Sequence, residues 1–356
     1  MPAEHRTAES RTAESPANLV GLREATSAAT AVAHPNIALV KYWGKRDERL
    51  ALPRTGSLSM TLDVFPTTTT VRPERAAVTD SVTLGGKPVT GEPLRRVVAF
   101  LDLVREMAGR TERAVVHSRN AVPTAAGLAS SASGFAALAV AAAAAYGLDL
   151  DATALSRLAR RGSGSAARSI FGGFAMWHAG DGDGAAGDLS SYAEPVAVSG
   201  LDPALVIALV DAGPKAVSSR TAMRHTVDTS PLYPAWVESS AADLSGMVAA
   251  LRGGDLEAAG EIAERNALGM HATMLAARPA VRYLSPATVG VLDGVLELRR
   301  DGVAAYATMD AGPNVKVLCH RADAGRVAEA VRAAGARSAV VARPGPGARL
   351  RNEDES

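Results

Sequence analysis

From Gly134 to Leu148 the chain runs for fifteen residues without a charge, and most of them are alanine. A bilayer span needs about 20 strongly apolar residues, so this stretch is too short and too weakly apolar to cross a membrane. It reads instead as a buried helix from about Leu128 to Tyr146, stopped by Gly147. Alanine on every face lets neighbouring layers approach closely, so the helix belongs in a core of thin, tightly stacked elements. Aromatic residues make up only 4% of the chain, which agrees with such a core.

What precedes this helix is as informative. Residues Pro123 to Ala132 (PTAAGLASSA) are small, and small residues let backbone amides come close to an anion. The following helix turns its unsatisfied N–H groups and positive dipole end toward that loop. Ser130 and Ser131 can offer hydroxyls to a phosphate or to Mg²⁺. No Gly-Lys-Ser/Thr follows, so the loop is not a Walker motif, and its glycines are wrongly spaced for a dinucleotide fingerprint. A serine-rich cap on a buried helix is the competing reading.

Other segments carry the same polyanion chemistry. Arg160–Ser169 (RRGSGSAARS) joins flexible backbone, hydroxyls and guanidinium groups, as does Lys215–Arg220 (KAVSSR) after an apolar strand. Each could equally be a basic helix end or a solvated loop. Lys41 and Lys45 flank Tyr42, Trp43 and Gly44, and would otherwise read as surface lysines. Asp310 ends an apolar strand before Ala311-Gly312-Pro313, where a carboxylate is either a turn former or a group poised to orient or deprotonate a hydroxyl. His34 and His271 lie in apolar surroundings and read as structural.

Composition narrows the classes. Thirty-eight basic against 37 acidic residues leave a net charge of +1, which excludes a basic coat for nucleic acid. One cysteine, Cys319, excludes an internal disulfide and a multi-cysteine metal site. Residues 1–30 lack an apolar signal core and are expected to be a disordered N-terminal extension. A soluble cytoplasmic protein is expected, without nucleic-acid or membrane partners.

The pattern alternates strands and helices with some strand–strand neighbours. Strands are expected at Ala31–Leu39, Leu58–Leu62, Thr67–Val71, Gly173–His178, Ala204–Val210, Ala304–Met309, Val315–Cys319 and Ser338–Ala342. Helices are expected at Leu94–Met107, Ala152–Arg161, Tyr233–Leu251, Asp255–Met274, Thr288–Arg300 and Ala322–Ala334. Gly180–Ser191 reads as a loop by composition. With 356 residues, the chain suggests an α+β fold of two domains divided near residue 200.

Taken together, NIALVKYWGKRDERLALP (Asn36–Pro53), SLSMTLD (Ser57–Asp63), VPTAAGLASSASGFAALA (Val122–Ala139), GSGSAARSIFGGF (Gly162–Phe174), VSSRTAM (Val217–Met223), GMHATML (Gly269–Leu275) and MDAGPNVKVL (Met309–Leu318) resemble the diphosphomevalonate decarboxylase family of the GHMP kinase superfamily. The resemblance implies a ribosomal-protein-like α+β domain over 31–200, a ferredoxin-like domain over 201–346, a flexible tail over 347–356, and an active site between the domains. It implies ATP-dependent decarboxylation of mevalonate 5-diphosphate to isopentenyl diphosphate, with ATP as co-substrate, Mg²⁺ as cofactor and a homodimer as the assembly. Position by position, it makes Asp310 the catalytic aspartate, with Lys41 and Arg168 beside the reacting groups. Substrate contacts fall on Tyr42, Trp43, Gly44, Lys45, Arg95 (with Arg96 competing), Ser163, Gly164, Ser165, Ala166, Ala167, Arg168, Ser219, Arg220 and Met223. The nucleotide loop falls on Pro123, Ala126, Gly127, Leu128, Ala129, Ser130 and Ser131, the two serines also being the Mg²⁺ candidates. The chain departs from the family at Arg54-Thr55-Gly56-Ser57, where Asn-Ser-Ser is usual, and at Ala167, where many relatives carry cysteine.

Overall fold

The computed structural model describes residues 21–22, 27–121, 130–211, 213 and 217–351. Three sheets organise it. A six-stranded sheet runs in the order Arg349–Leu350, Ala29–Ala33, Thr67–Glu74, Arg113–Asn120, Ser81–Leu84 and Lys87–Pro88. Residues of Thr67–Glu74 alternate between buried and half-exposed through Val71, the period-two signature of a strand with one face on a core. The alanine helix Ser130–Tyr146 packs directly on Ala29–Ala33 and Thr67–Glu74, and the helices Gly91–Ala108 and Ala152–Gly162 pack against it in the same apolar core. Its alanines from 136 to 143 are almost wholly buried, as close layering requires.

A second sheet of four strands, Ala193–Val196, Phe174–Trp177, Ser57–Thr61 and Asn36–Val40, sits between the two halves of the chain. The third sheet, Ala305–Met309, Val315–His320, Pro203–Leu209 and Ser338–Ala342, is fully antiparallel. Helices Pro286–Arg300 and Ala324–Ala333 pack on one of its faces, and helices Tyr233–Gly253 and Leu256–Leu275 on the other. Ser285 and Thr288 form a reciprocal capping box at one of these helices, and Asp255 caps another by accepting from the Ala258 amide.

The halves are not independent cores. Ile37, Leu39, Leu58 and Met60 of the middle sheet share one apolar cluster with Leu205, Ile207, Met247, Leu251, Ile262 and Leu318. Fully burying such side chains contributes ~1.5–3 kcal/mol each, so this shared cluster holds the two halves in a fixed relation. The helix Leu256–Leu275 lies close against the third sheet because Gly260 faces Tyr306; a Cβ there would stand 2.1 Å from the ring.

Several expectations need correction. The run Ala31–Leu39 is two strands in different sheets, because Pro35 lacks an N–H for the ladder and His34-Pro35 hands the chain from the first sheet to the second. Strands Ser81–Leu84 and Arg113–Asn120 were not anticipated, since their exposed positions hide the apolar alternation. Gly180–Ser191 contains a short helix, Gly184–Ser190, where Asp188 pairs with Arg157 at 2.7 Å and with buried Arg160. Ser219–Thr229 is a helix too polar to announce itself. The flexible tail expected over 347–356 does not begin at 347. Residues 344–351 turn back onto the first half: Gly345 N–H donates to Thr61 O (2.8 Å), Ala348 N–H to Ser169 O (3.1 Å) and Arg351 N–H to Thr30 O (2.8 Å). Arg349–Leu350 then completes the edge of the six-stranded sheet. Residues 352–356 and 1–20 lie outside the described residues.

Truncation after Arg343 removes these bonds, each worth about 1 kcal/mol net. It is expected to lower the melting temperature, followed by circular dichroism, by more than about 5 °C. An unchanged melting curve would mean that the returning segment does not support the first sheet.

Candidate active site

The middle sheet ends at a cleft of about 1610 Å³ whose lining comes from both halves of the chain. Its floor is a charged cluster. Residues 310–314 link the buried strands Ala305–Met309 and Val315–His320, and Asn314 ties this loop down by accepting from the Val210 and Asp211 amides at 2.8 and 3.1 Å. Asp310 therefore projects from a rigid strand end. Lys41, just past the strand Asn36–Val40, donates to Asp310 Oδ1 at 2.9 Å, and Lys316 donates to Oδ2 at 3.1 Å. Lys41 is fixed further by its own donation to Ala38 O (2.8 Å) and by Asn266, whose Oδ1 accepts the Lys41 amide (2.8 Å).

These lysines are buried, whereas the Asp310 side chain keeps 28% of its surface open to the cleft. Burial alone would raise the Asp310 pKa, but Lys316 and Lys41 outweigh it and hold the carboxyl well below the usual carboxylate range. Burial pushes the Lys41 ammonium down to about 8, against the pull of Asp310 and with the help of Lys316.

Arg168 is equally buried and is held from behind. Its Nε donates to the Ser59 hydroxyl (2.9 Å), Nη1 to the Ser57 hydroxyl and Nη2 to Asn36 Oδ1 (3.2 Å), while its guanidinium lies 5.9 Å from the Trp177 ring centroid. Three of its five N–H groups are thus committed, and one remains on each terminal nitrogen for an anion in the cleft. Burial lowers its pKa to about 10, still charged at neutral pH. Ser57, in the segment that departs from the family pattern, is therefore one of the residues that carries Arg168.

The expected site residues sort clearly. Lys41, Tyr42, Trp43, Lys45, Ser131, Ser163, Gly164, Ser165, Arg168, Ser219, Arg220, Met223 and Asp310 all line the cleft. Tyr42 stacks edge-on against Trp177 at 4.8 Å, and its buried hydroxyl has no partner among the described residues. Gly164 is required by close packing, since a Cβ there would lie 2.9 Å from both Tyr42 and Trp177. Ser163 donates to the Ser131 hydroxyl at 3.3 Å, linking the serine–arginine segment to the start of the alanine helix. Arg220 reaches within 3.9 Å of Glu92 across the cleft.

Other placements differ. Arg95 points to solvent and pairs with Glu92 (2.9 Å); its neighbour Arg96 lines the cleft, donating to Gly162 O (3.0 Å) over the Phe135 ring. The helical turn puts adjacent residues about 100° apart, so only one of the pair can face inward. Ala166 and Ala167 are wholly buried and do not reach the cleft; Ala167 packs on Trp177 and Ala193. Gly44 is a packing position with φ +107°, where a Cβ would stand 1.9 Å from the Tyr233 hydroxyl oxygen. Pro123, Ala126, Gly127, Leu128 and Ala129 lie outside the described residues, as does the side chain of Ser130.

Sequence reasoning gave Lys316, Asn266, Asn36 and Ser59 no role, and read His271 as merely structural. His271 is 3% exposed, hydrogen-bonds the Asp310 backbone, and is pushed down to about 4 by burial and by Lys41. The one available signal for Lys316 was a lysine inside a strand whose neighbours Val315, Val317 and Leu318 are all apolar.

The cleft gathers cationic and hydroxyl side chains from both halves around the Asp310 carboxylate, the arrangement of an enzyme that acts on polyanionic small molecules. The chain belongs to the diphosphomevalonate decarboxylase family: the diphosphomevalonate decarboxylase-like N-terminal domain matches residues 33–193, and the mevalonate 5-diphosphate decarboxylase C-terminal domain matches residues 205–342. A solved structure described as MDDEF in complex with MVAPP, AMPPCP and magnesium is 44% identical, with a TM-score of 0.86 over 91% of this chain and 99% of that one. The diphosphomevalonate decarboxylase of Ganoderma lucidum is 37% identical over 81% of this chain and 77% of its own length. The phosphomevalonate decarboxylase of Haloferax volcanii is 34% identical over 92% and 99%.

His271 yields a stability test. Its folded pKa lies below the ordinary 6.5, so between these values the unfolded chain binds a proton that the folded one does not. Stability is therefore expected to fall as pH drops from about 6.5 toward 4, by up to ~1.4 kcal/mol per pH unit. Urea denaturation at several pH values should show a shallower slope for His271→Asn than for the wild type; equal slopes would contradict a buried neutral imidazole.

Proposed function

We propose that the protein converts mevalonate 5-diphosphate and ATP to isopentenyl diphosphate, ADP, phosphate and CO₂. The observation that carries this reading is the Asp310 carboxylate, clamped by Lys41 and Lys316 on the floor of a cleft it shares with Arg168. Family membership and the relative that holds MVAPP, AMPPCP and magnesium support it.

The chemistry explains the need for such a floor. A 3-hydroxy acid has no β-carbonyl to receive the electron pair released with CO₂, so the tertiary hydroxyl must become a leaving group. Its oxygen attacks the γ-phosphorus of ATP and ADP departs. The C–O bond then breaks toward phosphate, while the pair from the breaking C–C bond forms the alkene.

Asp310 accepts a hydrogen bond from the 3-hydroxyl through a lone pair the lysines leave free. With its basicity held low, it aligns this group and takes the proton only as the forming O–P bond acidifies the hydroxyl. Arg168 holds the substrate carboxylate through its two uncommitted N–H groups. Lys41 and Arg168 stabilise the anionic phosphate as it leaves. Lys45, Arg96, Ser163, Ser165, Ser219 and Arg220 provide donors for the diphosphate.

Leu84, Pro88, Val89, Phe100 and Leu103 of the cleft lining offer apolar surface for the nucleotide base. Four of these five side chains are aliphatic, which is why no stacking motif announces the surface. The cleft also fits Mg²⁺: Ser131 presents an exposed hydroxyl, a hard oxygen donor, where the alanine helix begins. Ser131 and Ser130 would hold the ion, which when bound neutralises charge on the ATP phosphates.

Purified protein should release CO₂ and ADP in equal amounts from mevalonate 5-diphosphate and ATP, faster than from the monophosphate assayed in parallel; no CO₂ from either substrate would refute the reading. Asp310→Asn is expected to lower kcat by about 10²–10⁴-fold while changing the KM for the diphosphate little.

A further inference from the structure

We propose that Lys316 is a further positioning residue for this reaction, fixing the Asp310 carboxylate from the side opposite Lys41 so that its free lone pair stays aimed into the cleft. The inference rests on the role given to Asp310 above and deepens it.

Lys316 projects from the strand Val315–His320 among fully buried neighbours and is itself 2% exposed. Placing an ammonium in such a position is costly unless it is paired. Its partners are Asp310 Oδ2 at 3.1 Å and the Asn314 carbonyl at 3.4 Å. Nothing in the packing of this strand requires a charge, and an unbranched apolar side chain would fill the same space. The lysine is thus explained by what it does to Asp310.

The geometry shows what that is. A carboxylate bonded at one oxygen swings about its Cβ–Cγ bond. Here Lys41 takes Oδ1 from one half of the chain and Lys316 takes Oδ2 from the other, so the plane is set from both sides. The groups facing Asp310 are Lys41 beyond the strand Asn36–Val40, Lys316 on its own sheet, His271 of the helix Leu256–Leu275 on its backbone, and Arg168 across the floor. Three buried cations therefore face one carboxylate, an excess of positive charge that suits a cleft awaiting a carboxylate and a phosphoryl group.

The test compares wild type, Lys316→Met and Lys316→Arg. Removing the Lys316 charge should let the Asp310 carboxyl rise toward the ordinary range and relieve the repulsion that depresses Lys41. Both limbs of the pH profile of kcat/KM should then move upward together in Lys316→Met. Its kcat should fall about 10–100-fold while the KM for ATP changes less than about threefold. Lys316→Arg keeps the charge and should leave the limbs near their wild-type positions. A loss of rate at every pH with unmoved limbs would reduce Lys316 to a structural residue, and a wild-type kcat in Lys316→Met would remove it altogether.

A second readout needs no turnover. In protein labelled with ¹³C at the aspartate carboxyl and assigned through Asp310→Asn, the Asp310 signal should titrate at higher pH in Lys316→Met than in the wild type. Identical titrations would overturn the proposal even if mevalonate diphosphate proves to be the substrate. Conversely, failure of the wild type to release CO₂ leaves the titration to judge Lys316 by itself. Should Lys316→Met not fold, Lys316→Gln carries the same titration, and an unmoved signal there overturns the proposal.

Discussion

The site depends on a buried imbalance of charge. Lys41, Lys316 and Arg168 are nearly inaccessible, and Asp310 is the carboxylate set among them. Such a cluster cannot be assembled by one half of the chain: Lys41 and Arg168 come from the first half, Asp310 and Lys316 from the second. It persists because the apolar cluster beneath it joins Ile37 and Leu58 to Leu205 and Met247, and because every cation has a second polar anchor. Stability and reactivity are thus coupled at the floor of the cleft.

Around that floor, neutral polar side chains fix the charged ones. Asn266 holds the Lys41 amide, Asn314 holds the loop of Asp310 to the neighbouring strand, and Asn36 with Ser57 and Ser59 holds Arg168. Each contact orients a charge without neutralising it. The excess positive potential is therefore retained for an anionic ligand rather than cancelled by the protein.

Much of this was legible in the chain itself, and the failures have physical causes. Elements that are apolar on every face, such as the alanine helix and Pro203–Leu209, could be read directly. Half-exposed or polar elements, such as Arg113–Asn120 and Ser219–Thr229, could not, because tertiary packing rather than local periodicity stabilises them. Arg168 lies in a segment whose composition suggests anion chemistry, whereas Lys41 and Asp310 take their roles from the family resemblance. Lys316 and His271 have neither signal: each is one polar residue in an apolar surround, and only three-dimensional proximity reveals what it touches. Arg95 against Arg96 was a matter of helical phase, which a difference of one residue decides.

The returning segment at residues 344–351 bears on how the molecule is made. The strand Ala29–Ala33 is made about 320 residues before Arg349–Leu350, the segment that pairs its outer edge. Until that segment emerges, the nascent first sheet carries a row of unsatisfied amides and carbonyls open to neighbouring chains. Closure of the sheet, and protection from edge-to-edge aggregation, waits until residues 349–350 have emerged and turned back.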